Sequence, residues 1–177
     1  MCIRDRVTLA GGGLVTFLPI ERPDGSLAAV ALLVFGVSTA LCRWGAGVLV
    51  DRLGARVLLP GALTAGVAGL LLVALGLRDG GGPAVVLAGA FALGIAYGAV
   101  QNLTLVIALA RAGERSTATV SAVWNACYDS GTAIGALVVG MVAAGVGLPV
   151  TYVLVAALLA LALPLAVTLP RALRPVS

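Results

Sequence analysis

The chain of 177 residues alternates between long apolar stretches and short polar segments. An α-helix rises about 1.5 Å per residue, so about 20 consecutive apolar residues are needed to cross the hydrocarbon core of a bilayer. Six apolar stretches occur, at residues 7–20, 27–50, 57–77, 84–110, 117–146 and 150–169. The last five reach that length and the first is shorter. The pattern predicts an all-α, polytopic membrane helix bundle of six helices, the first of which is truncated.

The composition of the chain also indicates a membrane environment. The chain is 61% hydrophobic and 10% charged, with a mean hydropathy of +1.15, whereas a soluble domain carries roughly 25% charged residues. The polar residues are gathered between the apolar stretches, so they are too few to cover a water-facing surface. We therefore expect a lipid bilayer to surround most of the protein.

Several classes of function are disfavoured by missing residues. There is no histidine, which excludes a Ser-His-Asp triad, and no GxxxxGK phosphate-binding loop occurs. The three cysteines, at positions 2, 42 and 127, are not at metal-ligand spacing. The eleven basic residues, all arginine, form no patch of the kind that binds nucleic acid. We expect no enzymatic activity, no metal, no cofactor and no nucleic-acid partner.

The arginines of the polar segments predict the orientation. If six helices cross in alternation, six of these arginines lie on one side and two on the other. The six are Arg52, Arg56, Arg111, Arg115, Arg171 and Arg174, and the two are Arg22 and Arg78. The positive-inside rule places the larger set, and with it the C-terminus, in the cytoplasm. The sequence thus predicts a multi-pass protein of the cytoplasmic (inner) membrane.

The first six residues, MCIRDR, are polar and run directly into the short first stretch. They resemble a translated cloning or sequencing remnant, so we interpret residues 1–6 as a non-native leader and residues 7–177 as the domain. A secretory signal is the alternative. Three consecutive glycines at positions 11–13 would interrupt the apolar core of such a signal, which argues against it.

A motif lies in the polar segment after the second apolar stretch, where residues 47–56 read GVLVDRLGAR. It resembles the signature loop of the major facilitator superfamily (MFS), commonly written G-x-L-A-D-R-x-G-R-K. The matching residues are Gly47, Asp51, Arg52, Gly54 and Arg56. In this superfamily each six-helix half consists of two inverted three-helix repeats, and the loop follows the second helix of each half.

Other features favour the C-terminal half. Val50 and Val57 depart from the motif, as in its degenerate second copy. The stretch 117–146, with NACYDSGTAIGALVVG at its centre, resembles the eleventh MFS helix, where a polar or acidic residue precedes Gly-x-x-x-Gly. No long central loop follows the sixth stretch. The resemblance implies that residues 7–177 are the C-terminal half-domain of an MFS transporter.

The resemblance also implies roles for the loop residues. Gly47 would let the second helix approach a neighbour, and Gly54 would permit a tight reversal of the chain. Asp51 and Arg52 would form switchable contacts at the cytoplasmic rim, Asp51 with the positive end of a helix in the N-terminal half.

Charge pairing within the chain is a further expectation, because Arg56 and Glu114 are predicted on the same side. The alternative is that the basic residues on this side are topology anchors in headgroup water. These residues are Arg52, Arg56, Arg111 and Arg115.

Asp129 is the strongest candidate for coupling. It lies 12 residues after Thr117, which places it about 18 Å into the fifth helix. A charge at that depth must face a cavity, find a partner or be neutralised. Ser121, Asn125, Tyr128, Asp129 and Thr132 recur at helical spacing, so we expect one inward-facing polar stripe. Because desolvation disfavours an ionised carboxyl group, we hypothesise proton coupling through Asp129. The alternative is a hydrogen bond from Asp129 to a neighbouring helix.

The fourth helix carries Tyr97, Gln101 and Thr104 at helical spacing, with Asn102 beside them. In the MFS this is the tenth helix, which lines the central cavity, so these residues are candidate solute contacts; the alternative is hydrogen bonding between helices. Arg43 lies about 12 Å from the cytoplasmic end of the second helix, at a depth similar to that of Gln101, with which we expect a contact. The alternative for Arg43 is snorkelling to the interface.

Glycine pairs four residues apart predict close helix packing, because helices approach where side chains are small. These are Gly94 with Gly98 and Gly131 with Gly135. For Gly66 and Gly69 the alternative is lipid-facing filler.

The predicted function is secondary active transport of a small solute by alternating access. The N-terminal six-helix half would be a required partner, so we expect this chain to be inactive alone. The alternative is a stand-alone six-helix membrane protein that acts as a homodimer or as a structural or assembly component.

Overall fold

The computed structural model describes residues 2–21, 25–112 and 117–167, and these ranges contain α-helices and short turns but no strands. The helices are α1 (Cys2–Glu21), α2 (Gly25–Leu53), α3 (Ala55–Gly76), α4 (Pro83–Ala112), α5 (Thr117–Val146), α6 (Leu148–Ala160) and α7 (Leu163–Val167). Five segments are long and apolar enough to cross a membrane, namely α2, α3, α4, α5 and the segment Leu148–Val167. The predicted all-α membrane bundle is confirmed.

The sixth segment is divided into two helices, although its pattern predicts one. α6 ends at Ala160, and Leu161 and Ala162 form a turn before α7 begins. Pro164 accounts for the break, because proline lacks the amide hydrogen that a continuous helix would use at this position. At the break, the amide of Ala162 donates to the carbonyl of Leu159, three residues earlier, at 2.9 Å. A continuous α-helix would use the carbonyl four residues earlier.

Helix α1 begins at Cys2 and therefore includes part of the polar hexapeptide. It packs mainly against α5, with further contacts to α6 and α4. Arg6 donates a hydrogen bond to the carbonyl of Leu158 in α6, at 3.2 Å. Helix α1 is not among the five candidate spans of the described residues.

The other main contacts join α2 to α4 and place α3 between α4 and α6. Glycines allow the closest approaches. Gly98 of α4 lies directly against the carbonyl of Thr39 in α2, with no room for a Cβ atom. In the same way, Gly12 of α1 lies against the carbonyl of Thr132 in α5. Close backbone contact is a principal source of helix association in lipid, where apolar burial gives little net gain.

These equivalent contacts reveal an internal repeat that relates α1–α3 to α4–α6. Gly54 joins α2 to α3 with φ 77° and ψ 150°, and Gly147 joins α5 to α6 with φ 80° and ψ 159°. The two glycines have the same separation in sequence as Thr39 and Thr132. Because each repeat contains three helices, the second would run through a membrane in the opposite sense to the first. This agrees with the predicted pair of inverted repeats.

The packed core lies where α1, α3, α4 and α6 meet. Its largest fully buried side chains are Tyr152, Leu14, Leu18, Leu59, Leu63, Leu70, Leu93, Leu103 and Leu159. Gly66 and Gly69 are also buried, and the backbone of Gly69 packs against that of Gly89 in α4. The alternative that Gly66 and Gly69 are lipid-facing filler is therefore wrong.

Helices α2 and α5 contribute least to this core. Only 22% of the apolar window of α2 and 11% of that of α5 are buried in the bundle, against 44% in α3 and α4. Most of the surface of α2 and α5 must therefore be covered by lipid, water or another protein segment.

Candidate functional site

The signature loop is a one-residue joint between two helices. The amide of Gly54 donates to the carbonyl of Val50 at 2.9 Å, and the Gly54 carbonyl accepts from the amide of Val57 at 3.2 Å. With φ 77° and ψ 150°, Gly54 occupies a backbone region that is open almost only to glycine. The structure thus places a tight reversal where the motif predicts one.

The charged residues of the rim are exposed at this end of the bundle. They are Asp51, Arg52, Arg56 and Arg111. Glu114 and Arg115 lie outside the described residues, so the pairing of Arg56 with Glu114 stays a prediction. The contact between Asp51 and an N-terminal half also stays a prediction, because it concerns residues outside the sequence described.

About three turns of helix before the joint, α2 meets α4 through a polar contact. The side-chain amide of Asn102 donates to the backbone carbonyl of Arg43. A Cβ atom on Gly47 would lie 2.9 Å from the Asn102 amide nitrogen, so the absence of a side chain at position 47 makes room for this contact. The predicted partner of Arg43 was Gln101, and the structure gives that place to the adjacent residue; Gln101 is half-buried.

The predicted packing glycines lie at two helix interfaces. Gly94 and Gly98 of α4 face α2, where Gly94 lies against Ser38 and the carbonyl of Phe35. Gly131 and Gly135 of α5 face α1, and Gly135 lies directly against the backbone of Leu9. Both pairs sit where added side-chain atoms would push two helices apart.

An aromatic cluster links α2, α4 and α5. Tyr97 lies between Phe35, with ring centroids 5.3 Å apart, and Tyr128, at 5.5 Å. Trp124 stacks on Tyr128 at 5.2 Å. Such ring pairs stabilise beyond the area that they bury. The part played by Phe35 was not foreseen, since a lone aromatic residue in an apolar stretch carries no signal of its partners.

Hydrogen bonds reinforce this cluster. The hydroxyl groups of Tyr97 and Thr132 are 3.4 Å apart, and the indole nitrogen of Trp124 donates to the hydroxyl of Thr104 at 3.4 Å. Tyr97 and Thr104 therefore form hydrogen bonds between helices, which is the alternative to a role as solute contacts.

The hydroxyl of Tyr128 differs from these groups. It is buried, and no group among the described residues meets it with the geometry of a full hydrogen bond. The hydroxyl of Tyr97 lies close enough to interact with it, and it is also 3.4 Å from the hydroxyl of Thr132.

The polar residues of α5 do not form a single inward stripe. Tyr128 is buried, Ser121 and Thr132 are half-buried, and Asn125 and Asp129 are exposed. Neighbouring positions on a helix point about 100° apart, so Tyr128 and Asp129 face different surroundings. Asn125 bonds to the carbonyl of Ser121 in its own helix, at 2.9 Å. Within this bundle, Asp129 lies on the outer surface of α5.

The exposed face of α2 carries an open depression with a volume of about 550 Å³. Its lining includes Arg43, Trp44, Gly47 and Asn102, together with Ala40, Val48 and Leu105. Arg43 and Trp44 are both exposed there. A cation of α2 and an amide of α4 thus share one small surface between two membrane-spanning helices.

The exposed faces of the helices differ in polarity. All exposed residues of α6 are apolar, and they are Val150, Val153, Leu154, Ala157 and Leu158. The exposed residues of α2 and α5 include Arg43, Asn125, Asp129 and Ser130. A charged side chain facing lipid at such depth costs several kcal/mol. The face of α6 is therefore suited to lipid, and the polar parts of α2 and α5 require water or protein.

Comparison with known proteins agrees with this architecture. No curated protein matches the chain. The family model described as Major Facilitator Superfamily matches residues 7–177, so the match begins directly after the hexapeptide and includes the joint at Gly54, the polar depression of α2 and the exposed carboxyl group of α5. The chain belongs to the major facilitator superfamily and forms a membrane-spanning bundle of transporter type.

Proposed function

We propose that this chain is the C-terminal half of a secondary transporter that moves a small solute by alternating access. The observation that carries the proposal is the polar, poorly buried face of α2 and α5, which requires a covering that this chain does not itself supply. In a two-half transporter that covering is the opposite half, and the water-filled cavity lies between the halves. Without the N-terminal half we expect no transport.

The solute pathway would pass along this face. Arg43, Asn102 and Asn125 offer a charge and two amides, and Asp129 offers a carboxyl group at a similar level. Tyr97 and Thr104 would support the wall from behind, since their hydroxyl groups are engaged between helices. Closure on the cytoplasmic side would bring the loop at residues 51–56 against the opposite half, with Asp51 at the contact.

Proton coupling is the role we propose for Asp129. Its exposure on the bundle surface would let it meet cavity water in one state and the apolar surface of the opposite half in another. Alternation between these surroundings would change the cost of its charge, which is the property that a coupling site needs.

Orientation is part of the proposal. The positive-inside rule supports an inner-membrane protein with the loop at residues 51–56 and the C-terminus in the cytoplasm. A reporter enzyme that is active only in the cytoplasm, fused at the C-terminus, would test this orientation.

The proposed cavity can be tested without knowledge of the solute. In a cysteine-free form of the full-length protein, Asn125→Cys and Leu154→Cys are made separately and treated in membranes with a hydrophilic thiol reagent. Both positions are exposed in the bundle, but one is on the polar face of α5 and the other on the apolar face of α6. We expect rapid reaction at position 125 and little at position 154, because thiol reagents of this kind need water.

Equal protection of both cysteines would contradict a water-filled cavity on the α2 and α5 face. A homodimer of six-helix chains would give a different result. Oxidation would then cross-link Asn125→Cys between two differently tagged copies of this chain, whereas in a two-half transporter the tagged copies would remain separate.

A further inference from the structure

Arg43 is unusual among the basic residues of the chain. The other basic residues with described side chains lie near helix ends or in turns, at Arg6, Arg52, Arg56, Arg78 and Arg111. Arg43 lies eight residues before Asp51, or about 12 Å inside the cytoplasmic end of α2. It is therefore the one basic side chain in the interior of the spans that the structure describes.

The surroundings of Arg43 hold its backbone but leave its guanidinium group exposed. Its carbonyl accepts the hydrogen bond from Asn102, and its amide lies against Gly98, where an added Cβ atom would be 3.0 Å away. The side chain itself is exposed beside the depression of about 550 Å³. The helix is thus fixed by α4 at the point where it presents a cation.

The acidic residue in the interior of the described spans is Asp129, and it does not neutralise Arg43 directly. Both charges act on the hydroxyl of Tyr128, so they flank the aromatic cluster, but no ion pair joins them among the described residues. A guanidinium group within a membrane needs an anion or water. Arginine also binds carboxylate groups with two parallel hydrogen bonds.

We infer that Arg43, with Asn102 and Trp44, binds the anionic group of the transported solute, and that this solute is a small organic anion with an apolar part. The apolar part follows from Trp44, whose side chain is 75% exposed at the same depression. An exposed indole offers a planar apolar surface beside the cation. The inference rests on the proposed function, because the solute must have access to this face.

The experiment uses Ala40→Cys in the full-length, cysteine-free protein reconstituted in vesicles. Ala40 is exposed and lines the depression one turn before Arg43. The cysteine is treated with three methanethiosulfonate reagents that carry an anionic, a neutral or a cationic group. Each rate is divided by the rate of the same reagent with a free thiol. Benzoate and benzylamine, which have similar shapes and opposite charges, are then tested as protectants.

We expect the anionic reagent to react fastest. Arg43→Gln should slow that reaction on the order of fivefold, the effect of one charge several ångströms away in a partly hydrated site. Arg43→Lys should retain the preference for the anionic reagent. Benzoate should slow labelling and benzylamine should not, and Trp44→Ala should weaken protection by benzoate more than protection by acetate.

The reaction rate of the neutral reagent distinguishes failure of the proposed transport cavity from failure of anion binding at Arg43. If it does not react with Ala40→Cys, the face is not open to water, and the proposed transport cavity fails together with this inference. If it reacts but the three reagents show no charge preference and benzoate gives no protection, an acidic group of the opposite half neutralises Arg43. The inference is then overturned while the transport function stands. The neutral rate in Arg43→Gln also shows whether that variant retains the folded surface.

Discussion

Replacement of Gly54 by alanine tests the claim that backbone conformation, and not space, requires glycine in the signature loop. Gly54 has φ 77° and ψ 150°, a combination that costs a residue with a side chain roughly 1–3 kcal/mol. An added Cβ atom would meet nothing within 4 Å, so the whole cost is conformational. We expect Gly54→Ala to lower the free energy of unfolding by roughly 1–3 kcal/mol.

Gly61→Ala is the matched control for this substitution. Gly61 lies within α3 and also has nothing within 4 Å of an added Cβ atom, but its φ is helical. Alanine is preferred over glycine in a helix by about 1 kcal/mol, so this variant should be as stable as the parent protein or more stable.

The measurement is unfolding of the purified full-length protein in mixed micelles with increasing SDS, monitored by loss of helical circular dichroism. The internal repeat supplies a second test, because Gly147 has nearly the same dihedral angles at the joint of α5 and α6. Gly147→Ala should resemble Gly54→Ala, and the two losses should add because the joints are distant. Equal stability of Gly54→Ala and Gly61→Ala would refute the reasoning.

Three further predictions concern other parts of the bundle. Gly98→Leu should prevent the packing of α4 on α2, since Gly98 touches the backbone of Thr39. Gly61→Leu, at an open and exposed position of α3, should be tolerated. The yield of monodisperse protein in size-exclusion chromatography compares them. Tyr128→Phe should destabilise the protein less than Tyr97→Phe does, because the hydroxyl of Tyr128 is buried without a hydrogen bond of full geometry. Tyr97→Phe should cost about 1 kcal/mol by removing the bond to Thr132. Unfolding in SDS distinguishes the two variants, and a larger loss for Tyr128→Phe would contradict the assigned contacts. Asp129→Asn should abolish the pH dependence of solute uptake while Ser130→Ala preserves it; an unchanged pH profile in Asp129→Asn would end the coupling hypothesis.

The polarity of the chain was sufficient to predict the membrane, the five long spans and the turn at Gly54. These features depend on local chemistry. A run of 20 apolar residues cannot be solvated outside lipid, and glycine followed by a new apolar stretch permits a sharp reversal. The family resemblance likewise rests on residues that are contiguous in the loop.

The tertiary structure decided which face of each helix is buried. In a soluble protein, polar residues mark the outer face, but in lipid both the buried and the outer faces are apolar. Hydrophobic pattern therefore could not show that Gly66 and Gly69 are buried, or that α6 turns an apolar face outward. It also could not separate Tyr128 from Asp129, which are adjacent in sequence and face different surroundings.

Contacts between residues that are distant in sequence also could not be predicted from the sequence. Their similar depth in the membrane predicted a contact between Arg43 and Gln101. Because of the rotation of α4 about its axis, Asn102 makes the contact with Arg43. Phe35 and Trp124 join one aromatic cluster only because α2, α4 and α5 converge there. The sequence by itself determined where the chain crosses the bilayer and where it turns. Helix rotation and close backbone packing, which depend on all the helices together, determined which polar groups are buried in contacts and which, like Arg43 and Asp129, remain at the surface.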